Sequence, residues 1–302
     1  MKLRMIHLFP TYSCNLKCKH CYVNSKSFSE KSHLEFSDDL FNKAISLINS
    51  ENPEVIHIEG GEPLLYGRIF DLIKKIKNKD TLVLVSNGLL TNKKAIQNLE
   101  KSGLKNLVIS LEGSNKKVNS ILRGNYFDET VRTLTLLEKS KILVSLSTTV
   151  HKENLIDLEN VIELALVHKI SSIRFGVMLS SGRGSKLRKI MLQKNDLQNL
   201  ISKFLDLKKK YPKVDINLSL PGNINRFLNL KKIKHKYITC DAGKNQIAIG
   251  PDGLLYPCYN LVNLKEMEAG DLKISPVLQE TSAKIKRFCP FECSGHVYLG
   301  EI

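Results

Sequence analysis

The chain has 302 residues, 42% hydrophobic and 25% charged, a balance that excludes a disordered or fibrous polymer and allows one large domain plus a smaller one. No run approaches the ~18 consecutive apolar residues of a membrane span, and the Met1-Lys2-Leu3-Arg4 start has no signal-peptide pattern, so a cytoplasmic protein without a membrane partner is expected. A net charge of +16 favours acidic partners, yet the lysines (Lys74-Lys75, Lys208-Lys209-Lys210, Lys231-Lys232) fall where solvated helix faces are expected, and no aromatic-basic motif marks a nucleic-acid surface.

From the N-terminus, short apolar runs alternate with longer amphipathic ones, the pattern of βα units around a parallel sheet. The pattern predicts strands over 4–9, 55–58, 81–86, 106–111, 142–149 and 172–178, and helices over 38–49, 65–77, 92–102, 128–139, 154–169 and 194–210. Runs such as Thr81-Leu82-Val83-Leu84-Val85 read as strands buried on both faces. The fold class is therefore α/β, a partial (β/α)6 barrel over residues 1–211. In such barrels the loops after the strands line the active site. Here those loops carry a cysteine trio, Gly60-Gly61-Glu62-Pro63, Ser86-Asn87-Gly88 and Ser110-Leu111-Glu112-Gly113.

Past residue 211 the rhythm stops at Pro212, Pro221 and Gly222. Residues 212–239 read as a connecting segment and 240–302 as a small second domain. Its first feature is a hairpin, 245–249 and 254–258, around the turn Gly250-Pro251-Asp252-Gly253.

The seven cysteines form a trio, Cys14, Cys18 and Cys21, and a looser quartet, Cys240, Cys258, Cys289 and Cys293. Clustering of this kind in a reducing compartment points to metal ligation rather than disulfides. Three thiolates at Cys14-x3-Cys18-x2-Cys21 suit a cubane iron–sulfur cluster with one iron left open to a small molecule bearing an amine and a carboxylate. Zinc is the alternative, with His20 or His33 as a fourth ligand to the trio and the quartet as a four-cysteine site.

The segment Cys14-Asn15-Leu16-Lys17-Cys18-Lys19-His20-Cys21-Tyr22 resembles the signature of the radical S-adenosylmethionine superfamily, and the resemblance extends over most of residues 5–190. It implies a [4Fe–4S] cluster on Cys14, Cys18 and Cys21 that cleaves S-adenosylmethionine to a deoxyadenosyl radical. It also places Tyr22 by the adenine and makes Gly60, Gly61, Glu62 and Pro63 the methionine-binding motif, with Glu62 on the cationic amine. Ser86, Asn87, Ser110 and Glu112 are further cofactor positions, the last two at the ribose hydroxyls, and Arg123 is a partner for the methionine carboxylate.

The run from Gly253 to Cys258 resembles the start of a SPASM or Twitch extension. That resemblance implies one auxiliary [4Fe–4S] cluster on Cys240, Cys258, Cys289 and Cys293, the Twitch form, since no cysteines remain for a second. With all seven used, no thiol is left to return a hydrogen atom, which favours a net oxidation with the auxiliary cluster as electron acceptor. Enzymes of this type mostly act on ribosomally made peptides, by crosslink, thioether or other oxidative modification, and take electrons from a flavodoxin or ferredoxin. The sequence starts just before the cysteine loop, so a separate leader-recognition protein or the barrel itself is expected to recognise the peptide. The other readings are dehydrogenation of a small alcohol, RNA modification and a non-catalytic zinc protein; no catalytic acid or base is assigned.

Overall fold

The computed structural model describes residues 3–24, 26–27, 34–221, 236–239, 242, 244–262, 268, 270–272 and 295–299. Its strands are β1 (Met5–Leu8), β2 (Ser13–Cys14), β3 (Lys26–Ser27), β4 (Val55–Ile58), β5 (Leu82–Ser86), β6 (Asn106–Ser110), β7 (Leu143–Val150), β8 (Ser172–Val177), β9 (Asp215–Pro221), β10 (Lys236–Thr239), β11 (Gln246–Ile249), β12 (Leu254–Tyr256), β13 (Gly270–Asp271) and β14 (Gly295–Leu299). The helices are α1 (Asp38–Glu51), α2 (Ile69–Lys75), α3 (Lys93–Lys101), α4 (Lys116–Arg123), α5 (Phe127–Leu137), α6 (Leu158–Val167) and α7 (Lys194–Lys210).

One sheet runs in the order β10-β14-β9-β8-β7-β6-β5-β4-β1-β11-β12-β13. Its central strands, from β9 through β1 to β11, are all parallel, and antiparallel β14 and β12 extend it at either side. The helix-facing side chains, among them Ile56, Ile58, Leu82, Leu84, Leu107, Ile109, Ile173 and Phe175, are buried in one apolar core with Ile69, Leu72, Leu99 and Leu134 of the helices. The alternate residues, Val83, Val85, Val108 and Arg174, are only half-buried and face the concave side. The strands thus have one fully packed face and one that lines a lumen, where the sequence suggested two buried faces.

Helix starts follow local chemistry. Ser37, Asn92 and Asn115 accept hydrogen bonds from Leu40, Ala95 and Val118 backbone amides at the starts of α1, α3 and α4, caps worth about 1 kcal/mol each. Two expected helices are split: 65–77 becomes a 3-10 turn, Pro63–Leu65, followed by α2, and 154–169 becomes Lys152–Asp157 followed by α6. The short, polar α4, whose buried residues are Asn119 and Leu122, was not expected.

The βα rhythm also does not end at residue 211. Strand β9 adds a further parallel strand beside β8, with Ile216, Leu218 and Leu220 in the main core. The C-terminal hairpin β11–β12 joins the same sheet, because β11 lies parallel to β1 with Met5 opposite Gln246. A second apolar cluster of Phe9, Val23, Ala248, Tyr256 and Val262 ties this hairpin to the cysteine loop, with Cys21, Tyr22 and Tyr259 packed against it. Among the described residues no helix is long and apolar enough to cross a membrane.

Truncating Leu84, which is fully buried, is expected to cost about 2–5 kcal/mol through lost transfer energy and a residual cavity. Denaturant unfolding of Leu84→Ala against wild type, followed by circular dichroism, measures it.

Candidate active site

The cysteine loop follows β1 and is held on both sides by backbone. On one side, Gly61 donates its N–H to Thr11 O at 2.9 Å and Glu62 donates to Ser13 O at 2.8 Å. A Cβ on Gly61 would stand 1.9 Å from Ser13 O, and one on Gly60, whose φ is +132°, 2.5 Å from Thr11 O. Only glycine permits that approach. On the other side, a Cβ on Gly182 would lie 2.3 Å from Cys21 O. Arg183 donates its N–H to Cys21 O at 2.9 Å and its Nε–H to Cys18 O at 2.8 Å.

The three thiols sit within electrostatic reach of one another. Burial pushes the Cys14 thiol up to about 11, against the Leu16 N–H that donates to its Sγ at 3.4 Å, and the charges of Glu62, Cys18 and Cys21 add to the rise. Burial likewise raises Cys18, opposed by Arg123 and reinforced by Cys21. Cys14, Cys18 and Cys21 form no disulfide. Buried thiols of raised pKa form a donor set that a cationic centre relieves by stabilising the thiolates. These residues fit an iron–sulfur cluster.

Glu62 is fully buried at the end of the adjoining strand and caps the turn that Pro63 begins. Its Oε1 accepts from the Ser86 hydroxyl at 2.9 Å and Leu64 N–H at 3.2 Å, and its Oε2 accepts from Asn87 N–H at 2.8 Å. Burial raises its pKa despite these bonds. Asn87 also donates from Nδ2 to Asn15 Oδ1 at 2.7 Å, so the loops after β1, β4 and β5 form one hydrogen-bonded unit. Ser110 ends β6 on the lumen side and is half-buried.

Glu112 and Arg123 occupy each other. Arg123 Nε donates to Glu112 Oε1 at 3.0 Å, His20 Nε2 lies 3.3 Å from the same oxygen, and Thr149 N–H donates to Oε2 at 2.5 Å. Burial alone would raise Glu112, but Arg123, His20 and the Thr149 amide outweigh it and bring its pKa down to about 2. The Arg123 charge also acts on Cys18 and Cys14. The resemblance implies contacts of these two residues with the ribose and carboxylate of S-adenosylmethionine; in the structure they form an ion pair beside the thiols, joined by His20. The Tyr22 hydroxyl, expected by the adenine, donates to Glu59 Oε2 at 2.9 Å.

Cys258 begins the turn after β12 and takes part in no disulfide. Cys240, Cys289, Cys293 and His33 lie outside the described residues. Three lumen residues had no place in the sequence reading: His7, His57 and Glu59. Their signal was the polar alternation His57-Ile58-Glu59 within an apolar strand.

Two outcomes follow from this packing. Gly61→Ala is expected to displace the cysteine loop and abolish iron incorporation while circular dichroism changes little; iron analysis after anaerobic reconstitution checks it. Because the folded pKa of Glu112 lies below the ordinary 4.5, its ion pair contributes stability that is present above that value and lost as pH falls toward about 2. In urea unfolding of metal-free protein, the stability gap between wild type and Glu112→Gln should therefore narrow from about pH 6 to about pH 3.

The sequence profile of the Radical SAM superfamily matches residues 8–165. The chain is 31% identical over 180 residues to the Fe-coproporphyrin III synthase of Methanosarcina barkeri, an alignment covering 59% of this chain and 44% of that protein. It is 25% identical over 316 residues to the antilisterial bacteriocin subtilosin biosynthesis protein AlbA of Bacillus subtilis, covering 94% and 65% respectively. The chain spans about half the length of the first curated relatives it matches. In fold it is similar to Streptococcus suis SuiB bound to precursor peptide SuiA, with a TM-score of 0.74 and 17% identity over 90% of this chain and 64% of that one. The profile match spans more than half of the sequence, cysteine loop included, and the chain belongs to the radical SAM superfamily, whose members use a [4Fe–4S] cluster and S-adenosylmethionine.

Proposed function

We propose that this protein is a radical S-adenosylmethionine enzyme that holds a [4Fe–4S] cluster on Cys14, Cys18 and Cys21 and acts on a ribosomally synthesised peptide. The observation that carries the reading is the trio of cysteines, free of disulfides, on a loop pinned by the Gly60-Gly61-Glu62 segment and by Gly182-Arg183. A cluster held by Cys14, Cys18 and Cys21 would supply the one electron that reductive cleavage of S-adenosylmethionine to methionine and a deoxyadenosyl radical requires.

The chain's own residues do the positioning. Gly60 and Gly61 bring backbone flush with the loop, and Glu62, fixed by Ser86, Leu64 and Asn87, offers a buried carboxylate for the methionine amine. Asn87, Ser110 and Tyr22 add polar groups around the same rim. Arg123 keeps positive charge beside Cys14 and Cys18, which favours their thiolate forms.

A peptide substrate is supported by the similarity to AlbA and by the fold shared with peptide-bound SuiB. The net charge of +16 suits an acidic leader segment. A small-molecule substrate is the second reading, favoured by the 31% identity to Fe-coproporphyrin III synthase. We assign Cys258, with Cys240, Cys289 and Cys293, to one auxiliary cluster, and a flavodoxin or ferredoxin to electron supply.

Reduced protein with S-adenosylmethionine should release deoxyadenosine, and Cys14→Ala, Cys18→Ala and Cys21→Ala should each lose that release along with iron. Cys258→Ala should keep cofactor cleavage and lose substrate product. Zinc in place of iron in anaerobically purified protein, or no cleavage under strong reductant, rejects the reading.

A further inference from the structure

The lumen holds a second constellation of metal-binding groups, separate from the cysteines. His7 on β1 and His57 on β4 are paired across the parallel register, and Glu59 follows two residues after His57, on the same side. Their neighbours Ile6, Leu8, Ile56 and Ile58 point the other way into the core, so the polar trio faces the concave side. One ligand atom from each of His7, His57 and Glu59 lies within 4.8 Å of the other two. His7 Nδ1 is 2.5 Å from Glu59 Oε1, and the His7 and His57 rings meet edge to face at 5.0 Å.

The surroundings are built rather than incidental. Tyr22 donates to the second carboxylate oxygen of Glu59 at 2.9 Å, the kind of outer bond that orients a ligating carboxylate. Tyr259 stacks on the His7 ring at 4.7 Å. His7 is 2% exposed, and its Nε2 is buried without a hydrogen-bond partner.

We propose that His7, His57 and Glu59 form a binding site for a divalent first-row transition ion of the zinc or iron(II) class. Two imidazoles and one carboxylate are the donor set such ions favour, in contrast to the all-oxygen sites of calcium and magnesium. Bonds of about 2.0–2.2 Å place ligand atoms roughly 3–3.5 Å apart, so the ion takes the place of the hydrogen shared by His7 and Glu59, and the three side chains adjust by about 1 Å. Three protein ligands leave coordination positions open to the lumen. Those positions take an oxygen donor, a carboxylate or amide carbonyl, from whatever molecule occupies the barrel.

The test uses full-length protein reconstituted with iron and sulfide, dialysed to equilibrium against Co2+, with iron and cobalt both counted by elemental mass spectrometry. Wild type is expected to hold one cobalt equivalent that His57→Ala and Glu59→Gln lose or bind at least roughly tenfold more weakly. His168→Gln, altering a histidine at the end of α6 paired with Glu138, should retain it. Glu59→Gln nearly preserves size, which separates ligand loss from misfolding, and circular dichroism verifies the fold of each variant. Cobalt absent from wild type, or equal in wild type and both variants, overturns the site. Chelation before the cobalt dialysis strips iron(II) from the His7, His57 and Glu59 trio, and acid-labile sulfide, which only an iron–sulfur cluster holds, reports the cysteine cluster separately, so the failure of either assignment leaves the other readable.

Discussion

The arrangement depends on one close approach between backbones. Gly60 and Gly61, at the end of β4, lie against residues 11–13 of the cysteine loop, where a single added carbon would strike the Thr11 and Ser13 carbonyls. Two backbone hydrogen bonds made across that contact fix the loop's start, and the next residue, Glu62, ties it to the end of β5. Three thiols then fall near one another without a disulfide between them. Rigid backbone, rather than side-chain packing, sets the geometry of the candidate site.

Electrostatics complements that frame. The site buries two carboxylates with opposite tendencies: Glu62, with hydrogen-bond donors but no adjacent cation at bonding distance, is pushed up, and Glu112, beside Arg123 and His20, is brought down. Arg123 balances Glu112 while its field also reaches Cys14 and Cys18. The ion pair and the thiols of Cys14 and Cys18 therefore act on one another electrostatically.

Much of this was legible in the sequence because close chemical requirements leave short signatures. Cys14, Cys18 and Cys21 must lie within one loop, and Gly60-Gly61-Glu62-Pro63 must follow a strand. The strand ends that bring these loops together were readable from apolar runs such as Leu82 to Val85. Strand β9 was not, since Asp215-Ile216-Asn217-Leu218 alternates and follows Pro212, so it lacked the continuous apolar character of its neighbours. Helix α4 is too short and polar for periodicity to mark it. The trio His7, His57 and Glu59 escaped because it depends on a register between strands about fifty residues apart, which no local pattern encodes.

The placement of β11 beside β1 also bears on how the molecule assembles. The strand that leads into the cysteine loop is synthesised well before β11, one of its two neighbours in the sheet. Until Gln246–Ile249 leaves the ribosome, that side of β1 presents unpaired amides and carbonyls. Closing so long a loop is slow, so the cysteine segment acquires its final support late in folding. Delivery of iron and sulfide before that point meets a loop fixed along only part of its border.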